Sequence, residues 1–265
     1  MRFHLLFVIL ALVLTYAEPS FAASSRTVTA PTPEENIARK KQLEQHRFQR
    51  LVQKYKRSYS GNEKRYATLV SGLYKDPINV EHAVRSLRGS YAQTTFYTPF
   101  SDKVIDTLTR HAYVMDTSDD IAEVNDATRA YKDLLGKHIV NYDVLLYALN
   151  LSRADPKYGN TMFLTRVRDA IRDQLKVSHH FGSTPDKAYR IYSYGEETYV
   201  LNQYAAVVEG SDVYKVDRRY FNVHDLRMPD GTLKQIYVNV TAPILNVQIL
   251  QAALETQNVV DLPAQ

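Results

Sequence analysis

The sequence contains no cysteine and no tryptophan, and it has only nine glycines and ten prolines among its 265 residues. Without cysteine the chain cannot form disulfides, cysteine-based zinc sites or a thiol nucleophile. Stability therefore has to come from an ordinary apolar core, for which 45% hydrophobic residues are sufficient. The motifs Gly-x-Ser-x-Gly and His-Glu-x-x-His are also absent, so the local signatures of two common hydrolase classes are missing.

Long apolar runs are absent beyond the first 17 residues. Arg2 precedes an apolar stretch over residues 3–17, and the small residues Ser20 and Ala22 follow it. This order is typical of a secretory signal peptide cleaved after Ala22, and the stretch is shorter than the roughly 20 residues of a spanning helix. We therefore expect a periplasmic or secreted protein that is not membrane-spanning after cleavage; the alternative is a membrane anchor. Export without cysteine fits a bacterial periplasm better than a eukaryotic secretory route.

The net charge of +4 is unevenly placed, because residues 34–66 carry ten basic and four acidic groups. A solvated helix face is the first interpretation of this stretch, and contact with an anionic envelope polymer through the basic residues 39–65 is the second. Nucleic acid is disfavoured as a partner, since Tyr55 and Tyr66 occupy packing positions and leave few aromatics to stack on bases. The basic candidates for binding are Arg39, Lys40, Lys41, Arg47 and Arg50.

Apolar residues recur at helical spacing through most of the chain up to residue 176. Thr32-Pro33-Glu34-Glu35 predicts a helix start, with a hydroxyl cap, proline in the first turn and acids near the positive end of the dipole. We expect this helix to run to about Lys56, a turn at Ser60-Gly61-Asn62, and a second helix to Tyr74. Antiparallel helices with short connections then follow. Part of this region, Ile121–Leu151, resembles a tetratricopeptide pair, although an ordinary helical hairpin explains its apolar stripe equally well.

Beyond Gly182 the chain becomes rich in tyrosine and β-branched residues. Pro229-Asp230-Gly231 between two such runs predicts a β-hairpin. The sequence therefore predicts an α+β fold that is mainly α, in which an antiparallel helical array precedes a small β-containing part. The expected divisions are a signal peptide (1–22), a flexible leader (23–33), basic N-terminal helices (34–79), a helical repeat-like region (80–181), a small β-containing module (182–241), and a C-terminal helix and tail (242–265).

An ordered set of short motifs carries a family resemblance over roughly residues 80–241. Leu87-Arg88 and Tyr91 precede Thr95-Phe96-Tyr97-Thr98-Pro99-Phe100, and Gly182–Ile191, Glu196–Leu201 and Ile236–Val240 follow in order. Their order and spacing resemble a bacterial exported family catalogued as domain of unknown function 4919. The resemblance implies a helical, tetratricopeptide-like part followed by a small β-containing part, and it brings no catalytic residues.

Tyrosine-rich segments offer a second group of candidate binding residues. Eight of the twenty tyrosines lie between residues 189 and 237. Tyrosine combines apolar area with a polar tip, so these residues suit either strand packing, which we favour, or a ligand surface. The candidates for that surface are Tyr189, Tyr199, Tyr214 and Tyr237.

The remaining chemical candidates have ordinary structural explanations. Adjacent His179 and His180 point apart in regular structure and lack a neighbouring third ligand, so we expect no metal there. Glu196 and Glu197 suit a helix start, where acids favour the dipole, better than acid–base work. We expect no cofactor, no metal and no catalytic residue that the sequence alone identifies.

Two functional classes remain. The first is a noncatalytic periplasmic interaction or adaptor protein, whose partner is another envelope protein. The alternative is a cell-envelope hydrolase or transferase, with a site assembled from distant carboxylates or histidines. Whether the protein is an enzyme is left open at this stage; the missing motifs favour the adaptor.

Overall fold

The computed structural model describes residues 32–75, 80–176 and 181–249, and the chain divides into two units, residues 1–48 and 49–265. In the first unit the described residues contain the beginning of helix α1 (Pro33–Lys75). Ile37 and Leu43 are exposed there, at 58% and 56%. Few apolar side chains and high exposure agree with a weakly amphipathic segment.

In the second unit, α1 continues through the region where the sequence analysis placed a turn. The expected turn at Ser60-Gly61-Asn62, and with it the division into two helices, is wrong. One glycine inside a helix costs only about 1 kcal/mol relative to alanine. Beyond Gly61, Tyr66 and Leu73 lie two turns apart and are almost fully buried, at 2% and 1% exposure. Their packing stabilises the helix past the glycine.

Five further helices form the body of the helical part. Side-chain caps begin three of them: Asp120 accepts a hydrogen bond from the Ala122 N–H, Asn141 from Val144, and Asn160 from Phe163. Pairs α3–α4, α2–α6 and α5–α6 pack against each other. The bounds are α2 (Val80–Tyr91), α3 (Asp102–Thr117), α4 (Ile121–His138), α5 (Tyr142–Ala154) and α6 (Thr161–Gln174).

The core of this part contains aromatic side chains as well as aliphatic ones. Tyr91 and Tyr131 are fully buried. The Tyr91 hydroxyl lies 2.7 Å from Nδ1 of His138, which is itself 5% exposed. Burial lowers the pKa of His138 to about 4, and the neighbouring Lys137 contributes in the same direction.

A four-stranded sheet follows the helices, in the order β1-β4-β3-β2. Strand β1 pairs in parallel with β4, and the other two pairings are antiparallel. Strand β2 is continuous over its ten residues and pairs with β3 across Asp217-Arg218. The strand bounds are β1 (Tyr189–Arg190), β2 (Val207–Val216), β3 (Arg219–Arg227) and β4 (Leu233–Asn239).

The predicted hairpin joins β3 to β4. Asp230 Oδ1 accepts hydrogen bonds from the backbone N–H and the hydroxyl of Thr232, at 3.0 and 2.6 Å. Gly231 adopts a φ of 82°, which glycine takes without steric cost.

Strand β2 forms one edge of the sheet and is exposed along nearly its whole length. Val207 and Val213 are 66% and 64% exposed. A bulge between Val208 and Gly210 interrupts the register with β3. Bulges of this kind twist an edge strand and reduce its pairing with other chains.

Two helices flank the sheet: α7 (Tyr194–Asn202) and a helix over residues 241–249, here α8. The sequence analysis placed a C-terminal helix and tail at 242–265, of which the residues beyond 249 lie outside the described part. Gly195 allows a close approach of α7 to α5, since a Cβ at this position would lie 2.0 Å from the Asp143 carboxylate. The start of α7 is therefore fixed against the helical part.

These elements confirm the predicted α+β fold, mainly α, with a small β-containing part near the C-terminus. In the described ranges, no helix combines the length and the apolar character that a membrane span requires.

Candidate functional site

The first turn of α7 carries two adjacent carboxylates that are both buried. Ser193 has extended backbone angles and precedes the helix, and Glu196 and Glu197 follow in its first turn. Acids in the first turn interact favourably with the helix dipole, but such acids are normally exposed. Glu196 is 0% exposed and Glu197 is 8% exposed, so each needs specific partners.

Glu196 is held by a permanent cation. Arg88 donates from Nε to Oε1 at 3.1 Å and from its terminal nitrogen to Oε2 at 2.6 Å, and the Tyr192 backbone N–H donates to Oε2 at 2.8 Å. Arg88 also donates to Gln174 Oε1 at 2.7 Å, and its guanidinium stacks over the Tyr192 ring at 5.0 Å. The pair therefore joins α2, α6 and α7 as a buried ion pair with its hydrogen-bonding capacity largely used.

Glu197 is held by a titratable side chain instead. Nε2 of His224 lies 2.8 Å from Glu197 Oε1, and Asn222 donates to the same oxygen at 2.7 Å. On the other side of the imidazole, Nδ1 lies 2.7 Å from Oγ of Ser211. Glu197 and His224 are buried, whereas Ser211 is exposed. We call these three residues, Glu197, His224 and Ser211, the Ser211 relay.

The sheet geometry places the members of the relay. Ser211 on β2 and His224 on β3 lie directly opposite each other in the register, so their side chains share one face. Asn222 lies two positions before His224 and therefore points to the same face, where α7 brings Glu197. The relay is assembled from an edge strand, its neighbour and one helix.

The tautomer of the His224 imidazole follows from its contacts with Glu197 and Ser211. A carboxylate beside Nε2 favours the imidazole tautomer that carries its proton there, which leaves the Nδ1 lone pair to accept the Ser211 hydroxyl proton. A serine, a histidine and a carboxylate connected in this order are the elements of an activated serine nucleophile. The chymotrypsin-type arrangement uses the two ring nitrogens in the opposite sense.

A second feature is a groove in the helical part of the second unit. Its volume is about 830 Å³, and it lies between the C-terminal half of α1, α4, the segment 158–160 and the start of α6. We call it the aromatic groove, because five aromatic side chains line it: Tyr66, Tyr74, Phe96, Tyr158 and Phe163. Tyr74 is 53% exposed and stacks on Phe163, with 4.5 Å between ring centroids.

The rim of the aromatic groove carries three lysines and two acids. Both acids are engaged: Glu63 accepts hydrogen bonds from Thr95, and Asp133 pairs with Lys137 at 2.6 Å. Lys75 and Lys132 have no ion-pair partner within the described ranges. The lining of the groove therefore combines aromatic side chains with a net charge of +1, from three lysines and two acids.

The basic candidates from the sequence lie on α1. Arg39 and Lys40 are exposed in the first unit, and Arg50 is exposed in the second. The side chains of Lys41 and Arg47 lie outside the described ones. The histidine pair 179–180 is also outside the described ranges, and the described residues contain no cluster of three potential metal ligands.

The four candidate tyrosines lie on four different elements. Tyr189 on β1 is 3% exposed, and its hydroxyl lies 2.9 Å from that of Tyr204. Tyr199 on α7 packs on Tyr142, with ring centroids 5.4 Å apart. Tyr237 on β4 is half-buried, whereas Tyr214 on β2 is 51% exposed. The structure brings none of the four to the aromatic groove or into the Ser211 relay.

Sequence reasoning identified Glu197 only as a helix-start acid, and it did not identify Ser211 or His224. The signal that could have found the pair is the two-residue turn at Asp217-Arg218, because a hairpin with so short a turn fixes the register that places Ser211 opposite His224. Comparisons with protein-family models, curated proteins and solved structures find no match to this chain.

Proposed function

We propose that this protein is an exported interaction protein, and that the aromatic groove binds an amphipathic helix of an envelope partner. The observation that carries the proposal is the groove itself, about 830 Å³ in volume and lined by five aromatic side chains. Ligand recesses of roughly 300–1,000 Å³ with apolar walls are the usual size and chemistry of binding sites.

The shape and charge of the groove favour a helical, acidic occupant. Residues of the helices α1, α4 and α6 supply most of its lining, and an amphipathic helix binds a groove between helices through apolar residues spaced at i, i+3, i+4 and i+7. Lys75 and Lys132 on the rim lack acidic partners among the described residues, so carboxylates beside the apolar face of the incoming helix would pair with them.

Several parts of this proposal rest on the sequence alone. They are cleavage after Ala22, a periplasmic or secreted location, the resemblance to domain of unknown function 4919 with its tetratricopeptide-like helical part, and contact of the basic residues 39–65 with an anionic envelope polymer. The exposed Arg39, Lys40 and Arg50 are compatible with that contact.

The test is crosslinked affinity capture of the tagged chain from a native envelope extract, with matched variants. Tyr74→Ala removes an exposed ring from the groove, and Lys132→Glu reverses a charge on its rim. Tyr113→Ala and Lys103→Glu make the same changes at exposed positions of α3 outside the groove. Unchanged thermal unfolding shows that each variant is folded.

We expect one partner to be retained by the unmodified chain and by both α3 controls, and to be lost from both groove variants. A synthetic helix from that partner should then bind the chain at least tenfold more tightly than it binds Tyr74→Ala, by fluorescence anisotropy. Equal capture by all five proteins, or a partner helix without acidic residues, would contradict the proposal.

The Ser211 relay favours a second candidate function, acyl transfer or ester hydrolysis. Oγ of Ser211 would attack the carbonyl carbon of an ester, and its proton would pass to Nδ1 of His224. The alcohol would leave with that proton when the tetrahedral intermediate collapses to an acyl-serine. Water would then attack the acyl-serine by the same route and release the acid.

A covalent probe tests this second candidate directly. A fluorophosphonate or sulfonyl fluoride should label Ser211, located by peptide mass spectrometry, and p-nitrophenyl acetate should show a burst. Ser211→Ala should abolish both, while Ser71→Ala, at an exposed serine of α1, should change neither. Labelling that persists in Ser211→Ala, or no labelling of the unmodified chain, would remove this candidate.

A further inference from the structure

Strand β2 presents a long edge that is apolar as well as exposed. It pairs with β3 on one side, and no strand in the described part of the chain pairs with its other side. Val213, Tyr214 and Val216 are 64%, 51% and 40% exposed. Natural edge strands usually avoid pairing by being short, by carrying charges or by containing proline, whereas β2 has ten residues and no proline. Such an edge is a template for a further strand.

The bulge in β2 protects only one end of this edge. It lies between Val208 and Gly210, and the register with β3 is regular from Gly210 to Val216. We call residues 210–216 the regular edge. An incoming strand would meet no irregularity of the backbone along this segment.

The hairpin determines which backbone groups of the regular edge face outwards. The residues that flank a two-residue turn exchange both of their backbone hydrogen bonds, so Val216 directs its N–H and C=O towards β3. Because the ladder alternates, the N–H and C=O groups of Ser211, Val213 and Lys215 point away from β3. An antiparallel strand that paired at these three positions would use all of those groups.

The regular edge is complementary to itself. When Val213 lies on a two-fold axis, an antiparallel second copy of the regular edge pairs with the first over its whole length. No like charges face each other in this register, and the apolar Val213 meets its own counterpart. The pairs between the copies are Val213–Val213, Asp212–Tyr214, Ser211–Lys215 and Gly210–Val216.

Charge and backbone regularity select this register over its neighbours. With the axis on Asp212, each Asp212 carboxylate would lie directly opposite its own counterpart, which is destabilising. With the axis on Ser211, the pairing would run across the bulge. With the axis on Tyr214, Ser211 would lie opposite Asp217 in the turn and outside the strand. The axis on Val213 avoids all three conflicts.

We propose that the regular edge binds a second copy of this chain, so that two β2 strands join both sheets in a two-fold symmetric dimer. The contact is a single pair of strands, so the interface is small and the dimer exchanges reversibly with the monomer. The pairing uses the backbone of Ser211 and leaves its hydroxyl beside His224. The regular edge is separate from the aromatic groove, so the failure of this proposal and the failure of the proposed interaction function are distinguishable.

The first experiment is sedimentation velocity of the chain without its predicted signal peptide, residues 23–265, from about 1 to about 100 μM. We expect the mean mass to rise from monomer to dimer, with a dissociation constant on the order of 10 μM. Val213→Lys places two ammonium groups on the axis and should weaken the dimer at least tenfold. Val207→Lys, at a similarly exposed position before the bulge, and Tyr74→Ala in the aromatic groove should leave it unchanged.

The second experiment tests the register. The chain has no cysteine of its own, so a single introduced cysteine can form a disulfide only with its counterpart in a second copy. Directly opposite residues of a hydrogen-bonded antiparallel pair have Cα atoms about 5.5 Å apart, within the range of a disulfide. Under mild oxidation, Val213→Cys should form a covalent dimer at least tenfold faster than Asp212→Cys or Tyr214→Cys.

Thermal unfolding at the lowest concentration should be the same for Val213→Lys and the unmodified chain, because the side chain at this position is exposed. A monomer at every concentration, or a dimer that Val213→Lys leaves intact, would overturn the proposal. Faster crosslinking at position 212 or 214 than at 213 would also overturn it, because the two strands would then pair in another register.

Discussion

The two carboxylates at the start of α7 belong to regions of different character. Glu196 faces the helical part, where the permanently charged Arg88 and a backbone N–H occupy its two oxygens. Glu197 faces the sheet, where the titratable His224 leads on to the exposed Ser211. The side chains are identical and adjacent, and both are buried. The difference in their partners makes the first pair a structural connection and links the second pair to an exposed hydroxyl.

The largest expected effect is a loss of stability when the buried ion pair of Arg88 and Glu196 is broken. Arg88→Met leaves Glu196 as a buried charge without its cation, which should lower the free energy of unfolding by about 3–5 kcal/mol. Denaturant unfolding followed by circular dichroism measures it. The double variant Arg88→Met/Glu196→Leu should recover most of that loss, because it removes both charges. A single variant that loses less than about 1 kcal/mol would show that the pair is not the connection described here.

His138 offers a second comparison with His224, because it is also a buried imidazole but has no carboxylate partner among the described residues. Its pKa is lowered to about 4 in the folded chain, against 6.5 for an ordinary histidine. The unfolded chain therefore binds a proton first as the pH falls, and stability present above pH 6.5 is lost progressively towards pH 4. At pH 5 this loss should be about 2 kcal/mol relative to pH 7.5.

The measurement compares unfolding curves at pH 7.5 and pH 5 for the unmodified chain and for His138→Gln. The variant is expected to be less stable at pH 7.5 but to lose about 2 kcal/mol less on acidification. Equal losses in the two proteins would mean that His138 is not protonated on unfolding in this pH range.

A third prediction concerns the effect of Glu197 on the labelling rate of Ser211. Glu197→Gln keeps the shape of the side chain but removes the charge that stabilises protonated His224, so the labelling rate of Ser211 should fall at least tenfold. The rate is measured with a sulfonyl fluoride under pseudo-first-order conditions. Glu209→Gln, at an exposed acid on β2, is the matched control and should keep the original rate. Equal rates in both variants would leave Glu197 without a role in reactivity.

The smallest expected effect is the change in the free energy of unfolding when Ser211 is replaced. Ser211→Ala should change the free energy of unfolding by no more than about 0.5 kcal/mol, because the residue is exposed and water can replace its hydroxyl beside His224. Denaturant unfolding at pH 7.5 measures this change. A loss above about 2 kcal/mol would show that Ser211 stabilises the hairpin and would weaken its interpretation as a nucleophile.

Much of the fold could be predicted from local patterns. Val80, Val84, Leu87 and Tyr91 follow the helical spacing that the sequence shows up to residue 176, and they lie on α2; Pro229-Asp230-Gly231 predicted the β3–β4 hairpin. The turn at Gly61 was predicted wrongly, because a local preference for a turn is weak against the burial of Tyr66 and Leu73 on the following turns. Local sequence signals predict an element correctly where the tertiary packing favours the same local structure.

The candidate sites could not be predicted in the same way. Ser211, His224 and Glu197 become neighbours only through a hairpin register and the packing of α7 on the sheet. The aromatic groove likewise depends on where the end of α1 lies against α4 and α6. Sequence spacing carries no direct information on such contacts between distant segments.

The ion pair of Arg88 and Glu196 also has a consequence for the time course of folding. The two residues are 108 positions apart in the chain, so their contact closes a long loop. Contacts of this range form after local helical contacts, because the entropy of loop closure must be overcome first. An interaction that is absent from the folding transition state chiefly slows unfolding. We therefore expect Arg88→Met to accelerate unfolding far more than it slows refolding, so that this pair determines how long the folded molecule persists.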